Sequence, residues 1–360
     1  MKKSIVLTGG GTAGHVTPNI ALIPYLQADG WSIDYIGSEN GIEAQLIRPL
    51  QGITYHAIQS GKLRRYFSLK NFTDPFRVCA GIVQARRLIK RIQPTVVFAK
   101  GGFVSVPVVM GARSQKVPVV LHESDYTAGL ANRLCIPYSQ TICVSFEPTM
   151  AQLKGRHAVW TGSPVRESLL TGTADMAQLF CRFANPEKPW ILCMGGSQGS
   201  AAINEALRGG LEALTQRFNV VHLCGKGHLD DGLQNHPSYR QYEYVSEQLT
   251  HLYAASSLAV CRSGANSLFE LLSVGLPSLL IPLPRSSSRG DQILNAQYFL
   301  EKGYAQILMQ EDMTAQNLPD HVGMAFALVP RMKRNMAESP VQNGLEKVLE
   351  QIFIAAEQNR

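Results

Sequence analysis

Twice in this chain an apolar run gives way at once to a cluster of glycines and then to a stretch with helical spacing. The first occurrence is "SIVLTGGGTAGHVTPNIAL" (4–22) and the second "WILCMGGSQGSAAINEAL" (190–207). Glycines between a strand and a helix let the backbone turn sharply and come close to a ligand, and the helix that follows offers unpaired N–H groups to an anion. Units of this kind build a parallel sheet wound on both faces, because parallel neighbours need a helical crossover. Apolar runs predict strands at Ile5–Thr8, Ile33–Ile36, Val96–Ala99, Val117–Leu121 and Thr141–Val144. The pattern breaks near Gly162-Ser163-Pro164 and restarts with Trp190–Met194, Val220–Leu223 and Ser257–Cys261. A chain of 360 residues also exceeds the span of one core. The expectation is α/β: two Rossmann-like, doubly wound parallel-sheet domains facing a cleft, residues 1–163 and 164–340. In the tail, 341–360, Val341, Leu345, Val348, Leu349, Ile352 and Phe353 share one helical face, which is expected to pack back on the first domain.

Charge narrows the partners. A formal net charge of +7 and a pI near 9.0 favour polyanions: nucleic acid, an anionic membrane or phosphorylated substrates. Seven cysteines are scattered with no C-x-x-C pair, which excludes a disulfide frame and a zinc ribbon and reads as reduced core thiols. After Met1-Lys2-Lys3 the apolar run is too short for a signal peptide, and no run approaches the ~20 residues of a membrane span. The expected place of work is cytoplasmic, with membrane contact at most peripheral.

Gly9, Gly11 and Gly14 fit the dinucleotide pattern G-x-G-x-x-G, so a nicotinamide or flavin enzyme has to be weighed. The acid expected at the end of the second strand is missing there, since "IDYIGSEN" offers only Ser38 and then Glu39. The second half continues with "VCRSGANSLFELLSVGLPSLLIPLP" (260–284), where a strand ends at Arg262-Ser263-Gly264 and a helix opens at once. Glu270, two turns in, can accept hydrogen bonds from a ribose diol near the helix entrance. That combination marks a nucleotide-sugar site.

Seven motifs run in order: "GGGTAGH" (9–15), "KGGFVSVP" (100–107), "LHESDYTAGLANR" (121–133), "TGSPVR" (161–166), "GGSQGS" (195–200), "CRSGANSLFE" (261–270) and "DQILNA" (291–296). On these the chain resembles the MurG-type glycosyltransferases of peptidoglycan synthesis, of the GT-B architecture, over nearly its whole length. The resemblance implies inverting transfer of N-acetylglucosamine from UDP-N-acetylglucosamine to the C4 hydroxyl of a muramoyl-pentapeptide on undecaprenyl diphosphate. It implies no cofactor and no catalytic metal; D-x-D, the usual metal-binding signature of sugar transferases, is absent from the sequence. It further implies that Arg166, Ser197 and Gln198 meet the donor diphosphate and that the backbone at Val245 meets uracil. Ala265, Asn266, Ser267, Leu268, Phe269 and Glu270 would hold ribose and phosphate, and Gln292 the sugar hydroxyls. In the first half, Thr12, Ala13, Gly14 and Asp125 would also contact UDP-N-acetylglucosamine, and the glycine loops are left for the acceptor diphosphate and the chemistry. His15, on its glycine loop, suits a general base, with His122 and Glu123 the rival acid/base pair. The chain departs from many relatives at Ala13, Phe103, Asp125 and Asp291; Asp125 puts in doubt a donor contact through an amide N–H there, and Phe103 removes a hydroxyl.

Between Lys62 and Arg91 nine Lys and Arg residues stand against one acid, Asp74, interleaved with Tyr66, Phe67, Phe72 and Phe76. With a membrane lipid as acceptor, this segment is expected to meet an anionic bilayer at the cytoplasmic face rather than nucleic acid. Cell-wall synthesis enzymes are further candidate partners. Three competing readings remain: a glycolipid synthase moving a hexose to diacylglycerol, a UDP-N-acetylglucosamine epimerase, and a non-catalytic UDP-sugar-binding protein.

Overall fold

The computed structural model describes residues 3–61, 70–196 and 199–358, with side chains left out for 70–76. The chain divides into two compact units, residues 1–166 with 343–360, and residues 167–342. The division falls three residues after the boundary read from the sequence, so Arg166 belongs to the first unit.

The first unit carries seven strands: β1 (Ser4–Thr8), β2 (Ser32–Ser38), β3 (Ile53–Ile58), β4 (Val96–Ala99), β5 (Val119–Glu123), β6 (Thr141–Val144) and β7 (Ala158–Trp160). All pair in parallel, in the order β3-β2-β1-β4-β5-β6-β7. A parallel sheet is covered on both faces, and alternate residues divide between two cores. Ile5, Leu7, Phe98, Val120 and Cys143 face the helix Thr17–Ala28 and the C-terminal helix Leu345–Glu357. Val6, Val97, Ala99, Leu121 and Val144 face the helices Lys70–Ile92 and Ser105–Ser114.

The second unit repeats the plan with β8 (Trp190–Met194), β9 (Asn219–Leu223), β10 (Tyr239–Tyr242), β11 (Ser256–Cys261), β12 (Ser278–Leu280) and β13 (Ala305–Ile307), all parallel, in the order β10-β9-β8-β11-β12-β13. These are the two doubly wound units of the GT-B class. Strands β3, β7, β10, β12 and β13 have no counterpart among the predicted strands, and β5 begins two residues later than expected.

The C-terminal helix starts at Leu345, so Val341 lies before it and in the second unit. Leu345, Val348 and Ile352 are buried in the first unit's core, and Phe353 stacks on Trp31 at 5.7 Å. Asn343 ties the helix entrance to the chain leaving the unit: its Oδ1 accepts from Val165 N–H and Leu345 N–H, both at 3.0 Å, and its Nδ2 donates to Val165 O at 3.0 Å. Gly344 is required beside it, since a Cβ there would lie 2.6 Å from the carbonyl carbon of Gly162. Truncating fully buried Ile352 to Ala is expected to lower the unfolding free energy by about 2–5 kcal/mol. Ile354→Ala, on the exposed side, should cost less than about 1 kcal/mol. Urea titration of both variants checks this, and equal losses would refute the docking face.

Candidate active site

In a doubly wound sheet, ligands meet the carboxyl ends of the strands where the strand order reverses. In the first unit that place lies between β1 and β4, and their following loops lock together. Gly10 N–H donates to Gly101 O at 3.3 Å, and a Cβ on Gly102 would lie 2.0 Å from Gly10 O. Asn19 and Tyr35 hold the loop from below: Tyr35 hydroxyl donates to Gly9 O at 2.7 Å, and Asn19 Nδ2 donates to the Tyr35 oxygen at 3.1 Å.

His15 closes a single 3-10 turn, Ala13–His15, and is half-buried. Its Nδ1 lies 3.0 Å from Gly10 O and 3.2 Å from Thr12 Oγ1. A carbonyl oxygen only accepts, so Nδ1 carries the proton of that bond and Nε2 keeps the ring's lone pair. Thr12 is exposed, Ala13 and Gly14 are half-buried, and the four residues form one continuous rim after β1. The amide of Gly11 has a partner that the sequence reading missed. It donates to Glu43 Oε2 at 3.1 Å, so this glycine amide serves a carboxylate of the chain itself rather than an acceptor phosphate.

His122 and Glu123, the rival acid/base pair, are both buried and hydrogen-bonded within the unit. His122 is fully buried beneath Phe98 and engaged at both ring nitrogens: Lys100 Nζ lies 2.8 Å from Nδ1, and Nε2–H donates to Gly162 O at 2.9 Å. Burial first, and the Lys100 charge second, hold its pKa well below the ordinary histidine value. Glu123 is 5% exposed, and its oxygens accept from Asp125 N–H, Gly129 N–H and Asn132 Nδ2 at 3.0, 3.1 and 2.8 Å. It staples the loop after β5. Asp125, half-buried, sits on that stapled loop.

In the second unit the order reverses between β8 and β11. Gly199 presses on the end of β9, where a Cβ would lie 2.2 Å from Cys224 O, and its φ of +77° suits glycine alone. Ser197 and Gln198 lie outside the described residues. Arg262, which no sequence signal singled out as a tie, joins three segments by donating to Ser200 Oγ and Gln310 Oε1, both at 2.6 Å, and to Ile281 O at 3.0 Å.

The helix Ala265–Ser273 opens directly after β11. Leu268 N–H already donates to Gly264 O at 3.1 Å, so the amides of Ala265, Asn266 and Ser267 are those a helix entrance presents. Leu268 and Phe269 have core side chains, at 0% and 3% exposure, and Phe269 packs edge-on against Phe299 at 5.9 Å. Any contact they make with a ligand is therefore through the backbone. Glu270 accepts from Tyr253 hydroxyl at 3.2 Å, which fixes its carboxylate on the helix face. Gln292 Oε1 accepts from Leu283 N–H at 3.1 Å, Val245 is buried ahead of the helix Gln248–Ala255, and Arg166 in the first unit keeps a buried Nε with no hydrogen-bond partner. Among the described residues no cluster of three or more His, Cys, Asp or Glu is arranged to hold a metal ion, and no helix is long and apolar enough to cross a membrane.

The glycosyltransferase family 28 N-terminal domain matches residues 5–144, and the family 28 C-terminal domain matches residues 190–352. The chain belongs to glycosyltransferase family 28. A family 28 relative from Clostridium tetani (strain Massachusetts / E88), a UDP-N-acetylglucosamine--N-acetylmuramyl-(pentapeptide) pyrophosphoryl-undecaprenol N-acetylglucosamine transferase, is 48% identical over 352 residues, 98% of either chain. A transferase of the same name from Lachnospira eligens is 51% identical over 347 residues, 96% of this chain and 98% of its own. The crystal structure of Acinetobacter baumannii MurG has a TM-score of 0.77 at 24% identity, over 98% of this chain and 99% of its own, a likeness of fold. The MurG-type resemblance read from the seven motifs therefore holds along the chain, and the protein is a glycosyltransferase.

One electrostatic feature of the first unit is open to direct measurement. Lys100 is fully buried, and burial lowers its pKa from 10.5 to about 8 against the opposing pull of Glu123, Asp125 and Cys143. Between these values the unfolded chain binds more protons than the folded one, so stability rises with pH. The unfolding free energy of the protein, minus that of Lys100→Met, should climb by about 3 kcal/mol from pH 7.5 to 10.5. A flat difference across that window would mean that Lys100 keeps its ordinary pKa.

Proposed function

We propose that this glycosyltransferase moves N-acetylglucosamine from UDP-N-acetylglucosamine to the muramoyl-pentapeptide of an undecaprenyl-diphosphate lipid. The near-full-length 48% identity to the C. tetani transferase carries the reading. The first unit takes the lipid-linked acceptor and the second the UDP-sugar, at the peripheral, cytoplasmic face of the cell membrane.

His15 Nε2 takes the proton of the acceptor C4 hydroxyl. The oxygen forms its bond to the anomeric carbon from the side opposite the leaving group, and the electron pair of the old C–O bond departs on the β-phosphate of UDP. Charge growing there is met by the amides of Ala265, Asn266 and Ser267, by Ser197 and Gln198, and by Arg166, whose orphaned Nε suits an incoming anion. Glu270, braced by Tyr253, accepts from the ribose diol, and the backbone of Val245 meets uracil. Because Leu283 N–H fixes the Gln292 oxygen inward, its Nε2 is the end turned to the sugar hydroxyls. Thr12, Ala13, Gly14 and Asp125 border the sugar.

Membrane contact runs through the 62–91 segment, of which 62–69 and the side chains of 70–76 lie outside the described residues. On the described part of the helix, Arg77, Arg86, Arg87, Lys90 and Arg91 are exposed, with Val83 among them at 48%. Each cation near anionic lipid contributes roughly 1 kcal/mol, enough together for loose, reversible attachment. Replacing Arg86, Arg87, Lys90 and Arg91 by Ala should abolish sedimentation with anionic vesicles at low salt. Binding that persists, or that ignores ionic strength, would remove this face from the proposal.

Transfer itself is tested with radiolabelled UDP-N-acetylglucosamine, with and without a lipid-linked muramoyl-peptide. Labelled lipid that depends on the acceptor is the expected result; turnover without acceptor would point to the epimerase and label on diacylglycerol to the glycolipid synthase. His15→Ala should abolish transfer while UDP affinity stays within about twofold. Undiminished turnover in that variant would remove His15 as the base.

A further inference from the structure

Glu43 is only 1% exposed, and none of the seven motifs includes it. A carboxylate taken out of water is costly unless donors surround it. Its donors are Gly11 N–H to Oε2 at 3.1 Å, Ser38 N–H to Oε1 at 3.0 Å, and the Ser38 hydroxyl to the same oxygen. Room for it is made by three glycines on separate segments. A Cβ on Gly10 would lie 2.4 Å from the carboxyl carbon of Glu43, one on Gly41 2.4 Å from its oxygens, and one on Gly37 2.9 Å from its Cγ.

Among those donors Gly11 N–H is the informative one, because it belongs to the same peptide group as Gly10 C=O. That carbonyl accepts from His15 Nδ1 at 3.0 Å. We infer that Glu43 is a positioning residue for His15, acting through the Gly10–Gly11 peptide group. The inference rests on the reading of His15 as the general base.

A peptide N–H that donates to an anion polarises its own carbonyl, which becomes a stronger acceptor. The strengthened acceptor holds the proton on Nδ1 and turns the Nε2 lone pair toward the substrate side of the loop. When Nε2 takes the acceptor's proton, the Nδ1–H bond becomes charge-assisted, with a carboxylate one peptide group away. Glu43 thus does for His15 what an orienting aspartate does in a hydrolase triad, with a peptide interposed. The other ionisable groups near the carboxylate are Tyr35 and Tyr55, both pushed above the ordinary tyrosine value by burial first, with the Glu43 charge a further cause, and Arg48, which lies 5.0 Å from the Tyr55 ring centre. On the imidazole side, Thr12 hydroxyl is the second neighbour of Nδ1.

The test combines ¹⁵N NMR of the His15 imidazole with kinetics of Glu43→Gln. Free imidazole side chains favour the Nε2–H form, so the relay predicts a dominant Nδ1–H form in the unaltered protein; a dominant Nε2–H form overturns it. The substitution keeps the shape of the side chain and removes its charge, and the amide NH2 that replaces one oxygen cannot accept, so either Gly11 or Ser38 N–H loses its acceptor. For this variant kcat should fall by about 10- to 100-fold with KM for UDP-N-acetylglucosamine within about twofold, and the Nδ1–H population should fall with it. Unchanged kcat and unchanged His15 shifts in this variant, alongside an inactive His15→Ala, overturn the relay and leave His15 as base. An active His15→Ala fails the base reading instead, and the relay is then judged by the tautomer alone. Should Glu43→Gln not fold by circular dichroism, the tautomer in the unaltered protein decides.

Discussion

Backbone packed on backbone at the carboxyl end of β1 is the contact on which the first unit depends. Gly10 lies against Gly102 with no room for a Cβ between them, donates to Gly101, and carries on its carbonyl the bond to His15. A side chain on either loop would push the two apart, and the turn that carries the imidazole would move with them. The strand order makes the crossing possible: β1 and β4 are neighbours whose chains leave in opposite senses, so their loops diverge around one point.

Both units use this plan, yet each fills its loop from within by an ion of opposite sign. In the first, the buried anion Glu43 takes an amide that a phosphate would otherwise attract. In the second, the cation Arg262 ties Ser200, Ile281 and Gln310 together and leaves the entrance amides of the helix Ala265–Ser273 to a ligand. The difference agrees with the proposed division of labour, in which diphosphate of the donor belongs to the second unit and an uncharged hydroxyl is activated at the first.

The glycine loops were legible in the sequence because close approach of backbones is a local demand that few residues meet. The central strands were legible too, as unbroken apolar runs buried on both faces. Edge strands were not: β3, "ITYHAI", and β10, "YRQY", each have one neighbour and keep partly exposed polar residues, so their hydrophobic signal is faint. His122 read as a reactive group at a strand end, and its true setting depends on Lys100, Phe98 and Gly162, contacts that sequence spacing does not encode. That the side chains of Leu268 and Phe269 belong to the core was legible, since with Leu271 and Leu272 they form an ordinary apolar helix stripe. An acid two residues into "GIEAQLI" was the one available sign of Glu43, and nothing local says which amides it would find.

The clamp at Asn343 has a consequence for how the protein comes off the ribosome. All seven strands of the first sheet have been synthesised once Trp160 emerges, but the helix Leu345–Glu357, which seals one of its faces, follows only after the whole second unit. Until then Phe98, Val120 and Cys143 wait, partly uncovered, while the whole second unit is translated, at about 5–20 residues per second. A nascent chain therefore carries an unfinished first core for as long as the second unit takes to be made.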